Sequence, residues 1–322
     1  MRSYSVIVGS GTAALLQESI PPLTRRIAVV SDPAVTVNFD LPIECQLIEQ
    51  VADERAKTFE TVERLARKLA QLGFTRDDLL VAVGGGMLTD TVGLTAALYH
   101  RGMRYINVPT TLLGQVDAAI GGKTAVNLGE GKNLLGAIWQ PIAVLCDIDL
   151  LGTLPEREMR SGLGEVAKYS LLGVDVTAET PLVDMVTSCV EHKAAVVGND
   201  ERDHGARALL NYGHTLAHAL ETSGSYQLRH GEAVAVGLVF AARVAEALNR
   251  GKGIVERTVD IVTSFGLEPN IATGLDSGEL IEIMHRDKKV SNGLTMVLDG
   301  QGGFDVVSGI DDSVLRECLE MS

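Results

Sequence analysis

Positive charge is in short supply in this chain. Against 42 acidic residues stand 28 lysines and arginines, a formal net charge of −14 over 322 residues and a sequence pI near 4.9. A nucleic-acid surface is therefore not expected, and an anion could be held only where basic residues gather locally. Cysteine is scarce as well. Cys45, Cys146, Cys189 and Cys318 lie far apart, which excludes a Cys-x-x-Cys metal knuckle or redox pair and points to a reducing, cytoplasmic compartment. No apolar run reaches the roughly 18 residues of a membrane helix. The N-terminus, MRSYSVIVGSGTAALL, reads as strand and turn and not as a signal peptide. Repeats and low-complexity tracts are missing too. What is present is 46% hydrophobic and 22% charged residues, the balance of a soluble globular protein long enough for two domains or one large one.

The first half alternates strands and helices, which predicts a parallel sheet covered by helices. SYSVIVG, RRIAVVSD and CQLIEQV read as strands, and Asp32 at the end of the second is where a ribose hydroxyl is often held. ADERAKTFETVERLARKLAQLG reads as one amphipathic helix on Val62, Leu65, Leu69 and Leu72, with Gly73 as its C-cap. The buried strand LLVAVG then runs into Gly84, Gly85 and Gly86 ahead of a further helix, with Asp90 four residues on. Three glycines let a backbone approach a phosphate, and a helix N-terminus supplies N–H donors for it, although the pattern is not GxGxxG. INVP is another strand, with Thr110 and Thr111 at its end. Two Gly-Lys turns follow, at Gly122-Lys123 and Gly131-Lys132, separated by a short apolar hairpin. That arrangement is expected to bring two ammonium groups together, in an acidic chain, for an anion.

After LCDIDLLGTLP the alternation stops and most segments read as helices, so the domain boundary is placed near Leu154–Glu156, giving domains 1–154 and 155–322. Leu209 to Gly237 holds three of the seven histidines. LLNYGHTLAHALE reads as a helix, so His214 and His218, four apart, share a face. His230 opens the next apolar helix after a break at Ser223–Ser225. Two such helices make half of a metal site, because catalytic zinc takes imidazole nitrogens plus a carboxylate and leaves one position open. Glu165, in the first helix of this half, is the candidate carboxylate, with Lys168 three residues on along the same face.

Taken together, GGGxxxD, YxRG, PTTLL, VDxxxGGKTxVN, GKNxxGxxxQP, TLPxRE, GxxExxK, KAxVVxxDE, LNYGHTxxHAxE, HGExVxxG and DKK resemble the 3-dehydroquinate synthases and their sugar-phosphate cyclase relatives, in unbroken order from about Glu54 to Gly293. The resemblance implies an NAD-binding α/β domain followed by an all-α metal-binding domain, with the active site between them. It implies Zn2+, or Co2+ in its place, on Glu165, His214 and His230. It implies NAD held by Asp32, the segment Glu54 to Lys57, Gly84 to Asp90, Thr110, Thr111, Lys123, Lys132, and the loop from Leu150 to Thr153. Substrate and catalytic positions would be Asp117, Lys123, Lys132, Asn133, Lys168, Lys193, Arg207, Asn211, His218 and Lys288. Arg101 matches a position that reaches a neighbouring subunit's substrate phosphate, so a homodimer is implied.

That family takes a seven-carbon keto sugar acid phosphate, 3-deoxy-arabino-heptulosonate 7-phosphate, and closes a carbocycle with loss of phosphate while NAD is recycled. The chain departs from the usual pattern at Ala52-Asp53-Glu54 and at GLTMVL. These features, with ALYHRG and WQPIAVLCD, are similar to the branch acting on the 4-amino analogue for antibiotic starter units. Cyclases of neutral sugars or glucose 6-phosphate lose GGKT or change the histidine helix, whereas Gly121 to Thr124, Asn211 and His218 are kept here. A metal-dependent polyol dehydrogenase shares the triple glycine and the histidines but needs no phosphate clamp. A catalytically dead paralogue would not keep every matched site residue.

Overall fold

The computed structural model describes residues 3–35, 37, 39, 41, 43–203, 205–223, 228–270, 275–287 and 293–321. The chain divides into two compact units, one of Met1–Pro155 with Pro181–Ala194, the other of Glu156–Thr180 with Ala195–Ser322.

The first unit is built on strands β1 (Ser5–Gly9), β2 (Arg26–Ser31), β3 (Glu44–Glu49), β4 (Leu79–Gly84), β5 (Arg104–Pro109), the hairpin β6 (Lys123–Leu128) and β7 (Gly131–Ile138), and β8 (Ala143–Asp147). Among the described residues, six of these form a parallel sheet in the order β1-β8-β5-β4-β2-β3. The inner strands read as continuous apolar runs because both faces are covered. On one side Ala28, Val30, Leu80 and Ala82 pack with Leu65, Leu69, Leu88 and Val92; on the other Ile27, Val29, Val81, Val83, Ile106 and Val108 close around Leu16. The strand order reverses at β2, whose neighbours are β3 on one side and β4 on the other. In such sheets the crevice at the carboxyl ends of the strands beside the reversal is the ligand position.

Helix α1 (Phe59–Gln71) is shorter than the sequence pattern suggests. The segment before it forms a separate turn, Glu54–Ala56, capped by Asp53. The chain is then extended at Thr58, whose side chain accepts from the Thr61 N–H and starts α1 anew. Val62, Leu65 and Leu69 are buried, and Gly73 ends the helix at φ +71°. Helix α2 (Gly86–Leu98) follows β4 directly.

The second unit contains α3 (Glu156–Leu171), the end of α4 (Leu182–Asn199), α5 (His214–Thr222), α6 (His230–Ala247), α7 (Ile254–Ser264), α8 (Ser277–Asp287) and α9 (Asp312–Glu320). It also holds an antiparallel ribbon of β9 (Leu294–Leu298) and β10 (Asp305–Ile310) that helical periodicity does not reveal. Helix α6 is apolar on every side because α3, α5, α7 and α9 all pack on it. Among the described residues no helix is long and apolar enough to cross a membrane.

Candidate active site

Three elements of the second unit bring the metal candidates together. Glu165 sits within α3, His214 is the first residue of α5 and His230 the first of α6. The expected helix through LLNYGHTLAHALE is broken: Ala206–Asn211 is a tight turn, and Gly213 adopts φ +79° before α5 begins. The break follows from packing. A Cβ on Gly237 of α6 would lie 2.0 Å from the Gly213 carbonyl oxygen, so the two backbones touch there.

Glu165 is fully buried, and its Oε1 lies 3.4 Å from His214 Nε2 and 3.1 Å from His230 Nε2. The three ligand atoms fall within 4.8 Å of one another. His214 Nδ1 lies 3.1 Å from the Tyr212 carbonyl oxygen, and His230 Nδ1 lies 3.3 Å from Glu221 Oε2. Both rings thus have an acceptor at Nδ1, leaving Nε2 for the centre. His218 stacks edge-on against His214 at 5.5 Å but is outside the ligand trio. One buried carboxylate and two part-buried imidazole nitrogens, oriented in this way, fit the donor set of a catalytic zinc site with an open position.

The charges are tightly coupled. Burial pushes the Glu165 carboxyl up, but Lys168 and the two imidazoles outweigh it and hold it well below the usual carboxylate range. Lys168, itself buried, forms an ion pair with Glu165 and lies 4.8 Å over the Tyr169 ring. Burial lowers His214, with Glu165 pulling the other way. Burial also opposes charge on His230, yet hydrogen bonds and charge from Glu165 and Glu221 raise it to about 10.

A clasp fixes α6 against α3. The Gly231 N–H donates to Ser161 Oγ at 3.1 Å, and a Cβ on Gly231 would lie 1.7 Å from the Ser161 carbonyl oxygen. Arg157 grips both oxygens of Glu232 at 3.1 and 2.9 Å, and Glu232 also accepts the Arg229 N–H. Burial opposes ionisation of Glu232, but these donors bring its pKa below the usual value.

In the first unit the cofactor candidates collect at the carboxyl edge of the sheet. Gly84 pairs with Pro109, and the Thr110 N–H donates to the Gly84 carbonyl, so the glycine turn and Thr110-Thr111 lie side by side. A Cβ on Gly86 would lie 2.9 Å from the Ala118 Cβ, so packing alone favours glycine there. Asp32 accepts from the Ala34 and Ala52 N–H groups at 2.8 Å each. Lys57 Nζ reaches Asp90 Oδ2 at 2.6 Å and Asn133 Oδ1 at 2.5 Å. Burial raises the Asp90 carboxyl above its usual value, with Lys57 opposing. Asn127 ties this group together, donating to Glu54 at 2.7 Å and accepting from the Asn133 N–H at 2.9 Å. Leu150 and Thr153 lie in the short turn beyond β8, a neighbour of β5.

Lys193 Nζ contacts Asp117 twice, at the carbonyl oxygen (2.5 Å) and at Oδ1 (2.9 Å). The two Gly-Lys turns do not converge. Lys123 pairs with Ile138 and Leu128 with Gly131, so Lys123 and Lys132 leave the hairpin at opposite ends. That is about 13 Å along the strand, and the antiparallel register demands it. Arg101 is exposed, on a turn with φ +60°. In the second unit Arg207 is buried and donates to the Glu201 carbonyl at 2.7 Å, with Asn211 at the end of the same turn. Lys288 lies outside the described residues. Glu221, Arg157, Glu232 and Asn127 stand as letters in the matched motifs, but neither they nor the Tyr212 carbonyl and Ser161 are given a role by the sequence. The x-H-A-x-E run around Glu221 is visible, but the break after α5 hides which ring that carboxylate faces.

Residues 47–161 match the N-terminal and residues 162–290 the C-terminal family of 3-dehydroquinate synthase. A candidate aminodehydroquinate synthase of Amycolatopsis mediterranei (strain S699) is 47% identical over 99% of this chain and 92% of its own length. The 3-dehydroquinate synthase of Pelobacter propionicus is 40% identical over 95% of this chain and 92% of its own. Among solved structures, the 2-epi-5-epi-valiolone synthase of Streptomyces hygroscopicus subsp. jinggangensis 5008, with NAD+ and Zn2+ bound, is 26% identical. It superposes with a TM-score of 0.86 over 100% of this chain and 97% of its own.

Proposed function

The chain belongs to the 3-dehydroquinate synthase family of phosphate-eliminating, carbocycle-forming enzymes, and from that premise we propose that it converts 3-deoxy-arabino-heptulosonate 7-phosphate to its carbocycle, with Zn2+ on Glu165, His214 and His230 and with NAD. The observation that carries the metal-assisted reading is the buried Glu165 oxygen set against both imidazole Nε2 atoms. A divalent ion there supplies a Lewis acid for a substrate hydroxyl, and NAD+ supplies a hydride acceptor restored within the turnover.

The chain's own residues bind and orient. Asp32, Glu54, Lys57, Gly84 to Gly86, Asp90, Thr110, Thr111, Leu150 and Thr153 are the proposed cofactor positions, at the strand-order reversal and along the edge beside it. Lys123, Lys132, Lys193 and Arg207 are proposed to neutralise phosphate and carboxylate. Asp117 holds the Lys193 ammonium from two sides, which supports a fixed cation in place of a mobile surface lysine. Lys168, Asn133, Asn211, His218 and Lys288 complete the proposed substrate set. A homodimer in the cytoplasm, with Arg101 reaching across to the neighbouring subunit's substrate, belongs to the same proposal; the exposure of Arg101 supports it.

A second reading, the 4-amino analogue as substrate, is favoured by the 47% identity to the Amycolatopsis protein against 40% to the Pelobacter one. The two are tested together by offering each substrate with catalytic NAD and zinc and following phosphate release. Faster release, compared as kcat/KM, identifies the native substrate, and no release from either overturns both readings.

A further inference from the structure

The proposed reaction leaves Glu221 without a task, yet its side chain is only 7% exposed and its Oε2 lies 3.3 Å from His230 Nδ1. It stands in the last turn of α5, seven residues after His214. Seven residues are about two helical turns, so Glu221 lies along the same face as His214. One short helix therefore carries a metal candidate at its start and the acceptor for the other candidate's ring at its end. A carboxylate can only accept at Nδ1, so when a metal ion takes the place of the Nε2 proton the remaining proton is held on Nδ1, and Nε2, which faces Glu165 Oε1 at 3.1 Å, is the nitrogen left to bind. His214 is set in the same tautomer by the Tyr212 carbonyl at 3.1 Å. The two rings are thus held alike by unlike partners, one a main-chain oxygen that no substitution removes, the other a side chain that can be removed.

We propose that Glu221 is a positioning residue of the metal centre, fixing the tautomer and rotation of His230 so that Nε2 is presented to the ion. This rests on the reading of Glu165, His214 and His230 as metal ligands. Without Glu221 the ring is free to turn about its Cβ–Cγ bond, and affinity falls because the ligand must be reoriented on binding.

The test measures zinc dissociation constants by chelator competition at one pH for wild type, Glu221→Ala, Glu221→Gln and His214→Ala, with circular dichroism as the folding control. The cobalt-loaded proteins are also examined by proton NMR for the strongly shifted imidazole N–H signals. Glu221→Ala is expected to bind zinc roughly 10- to 100-fold more weakly and to lose one of two such signals to solvent exchange. Zinc binding within twofold of wild type, or retention of both signals, overturns the proposal. Glu221→Gln keeps an acceptor without its charge, so both signals should persist with a smaller loss of affinity. Should the alanine variant not fold, an unchanged affinity or a lost signal in Glu221→Gln overturns the proposal equally. If His214→Ala binds zinc as tightly as wild type, the ligand assignment itself has failed; if it loses zinc while Glu221→Ala does not, only the role of Glu221 has.

Discussion

Lys193 shows how little a residue's type reveals of its work. It lies in an amphipathic helix where a lysine ordinarily stays in water, but its side chain is 7% exposed and its ammonium is held by Asp117 Oδ1 and by the Asp117 carbonyl. Burying a cation is unfavourable unless it is paired, and Asp117 supplies that pairing. A charged hydrogen bond to substrate contributes about 1.5–3 kcal/mol, so Lys193→Ala is expected to lower kcat/KM for phosphate release roughly tenfold to more than a hundredfold. Zinc content, measured by atomic emission, should stay near that of wild type, because the metal candidates belong to the other unit. Wild-type turnover by this variant would reduce the pair to a structural one.

The pairing of α3 with α6 decides whether Glu165 and His230 meet. Gly231 faces the Ser161 carbonyl so closely that any side chain must push the helices apart. Gly231→Ala is therefore expected to destabilise the protein by about 1–3 kcal/mol or more and to weaken zinc binding, read by thermal unfolding and by chelator competition. Destabilisation without loss of zinc affinity would separate the clasp from the metal centre. Arg157 and Glu232 form the outer part of the same clasp. Glu232 has a folded pKa below its ordinary value of 4.5, so its contribution is present above that value and disappears as pH falls through the folded pKa. Glu232→Gln should accordingly lower the melting temperature at pH 7, by an amount equivalent to at most about 1 kcal/mol for so exposed a pair. The difference from wild type should shrink towards zero as pH falls below 4.5 and through the folded pKa; a difference that persists in acid would show that charge is not its origin.

For the molecule as a whole, the family reaction leaves the nucleotide unchanged, and this separates a cyclase from a dehydrogenase on the same fold. Substoichiometric NAD is expected to sustain many turnovers of phosphate release with no accumulation of absorbance at the nicotinamide wavelength. One reduced nucleotide formed per substrate would replace the cyclase reading with a dehydrogenase.

Much of this was determined along the chain itself. The runs LLVAVG and IAVV are apolar without alternation because parallel strands are covered on both faces, and they lie in β4 and β2. Val62, Leu65 and Leu69 mark the buried stripe of α1, and Gly73 its end, since both follow from local periodicity and backbone freedom. The histidines and the helical carboxylate were legible as zinc-type chemistry for the same reason: side-chain type and helical spacing are local. Convergence was not. Spacing alone does not choose among His214, His218 and His230; the family resemblance singles out His214 and His230 with Glu165, and the packing of α3, α5 and α6 is the physical reason that Glu165 meets those two and Glu221 lies behind one. Likewise Lys123 and Lys132 look adjacent through their shared Gly-Lys pattern, yet hairpin register puts them at opposite ends. Distance between residues on different elements is set by helix packing and strand register, which depend on many residues at once, and only the tertiary structure decides it.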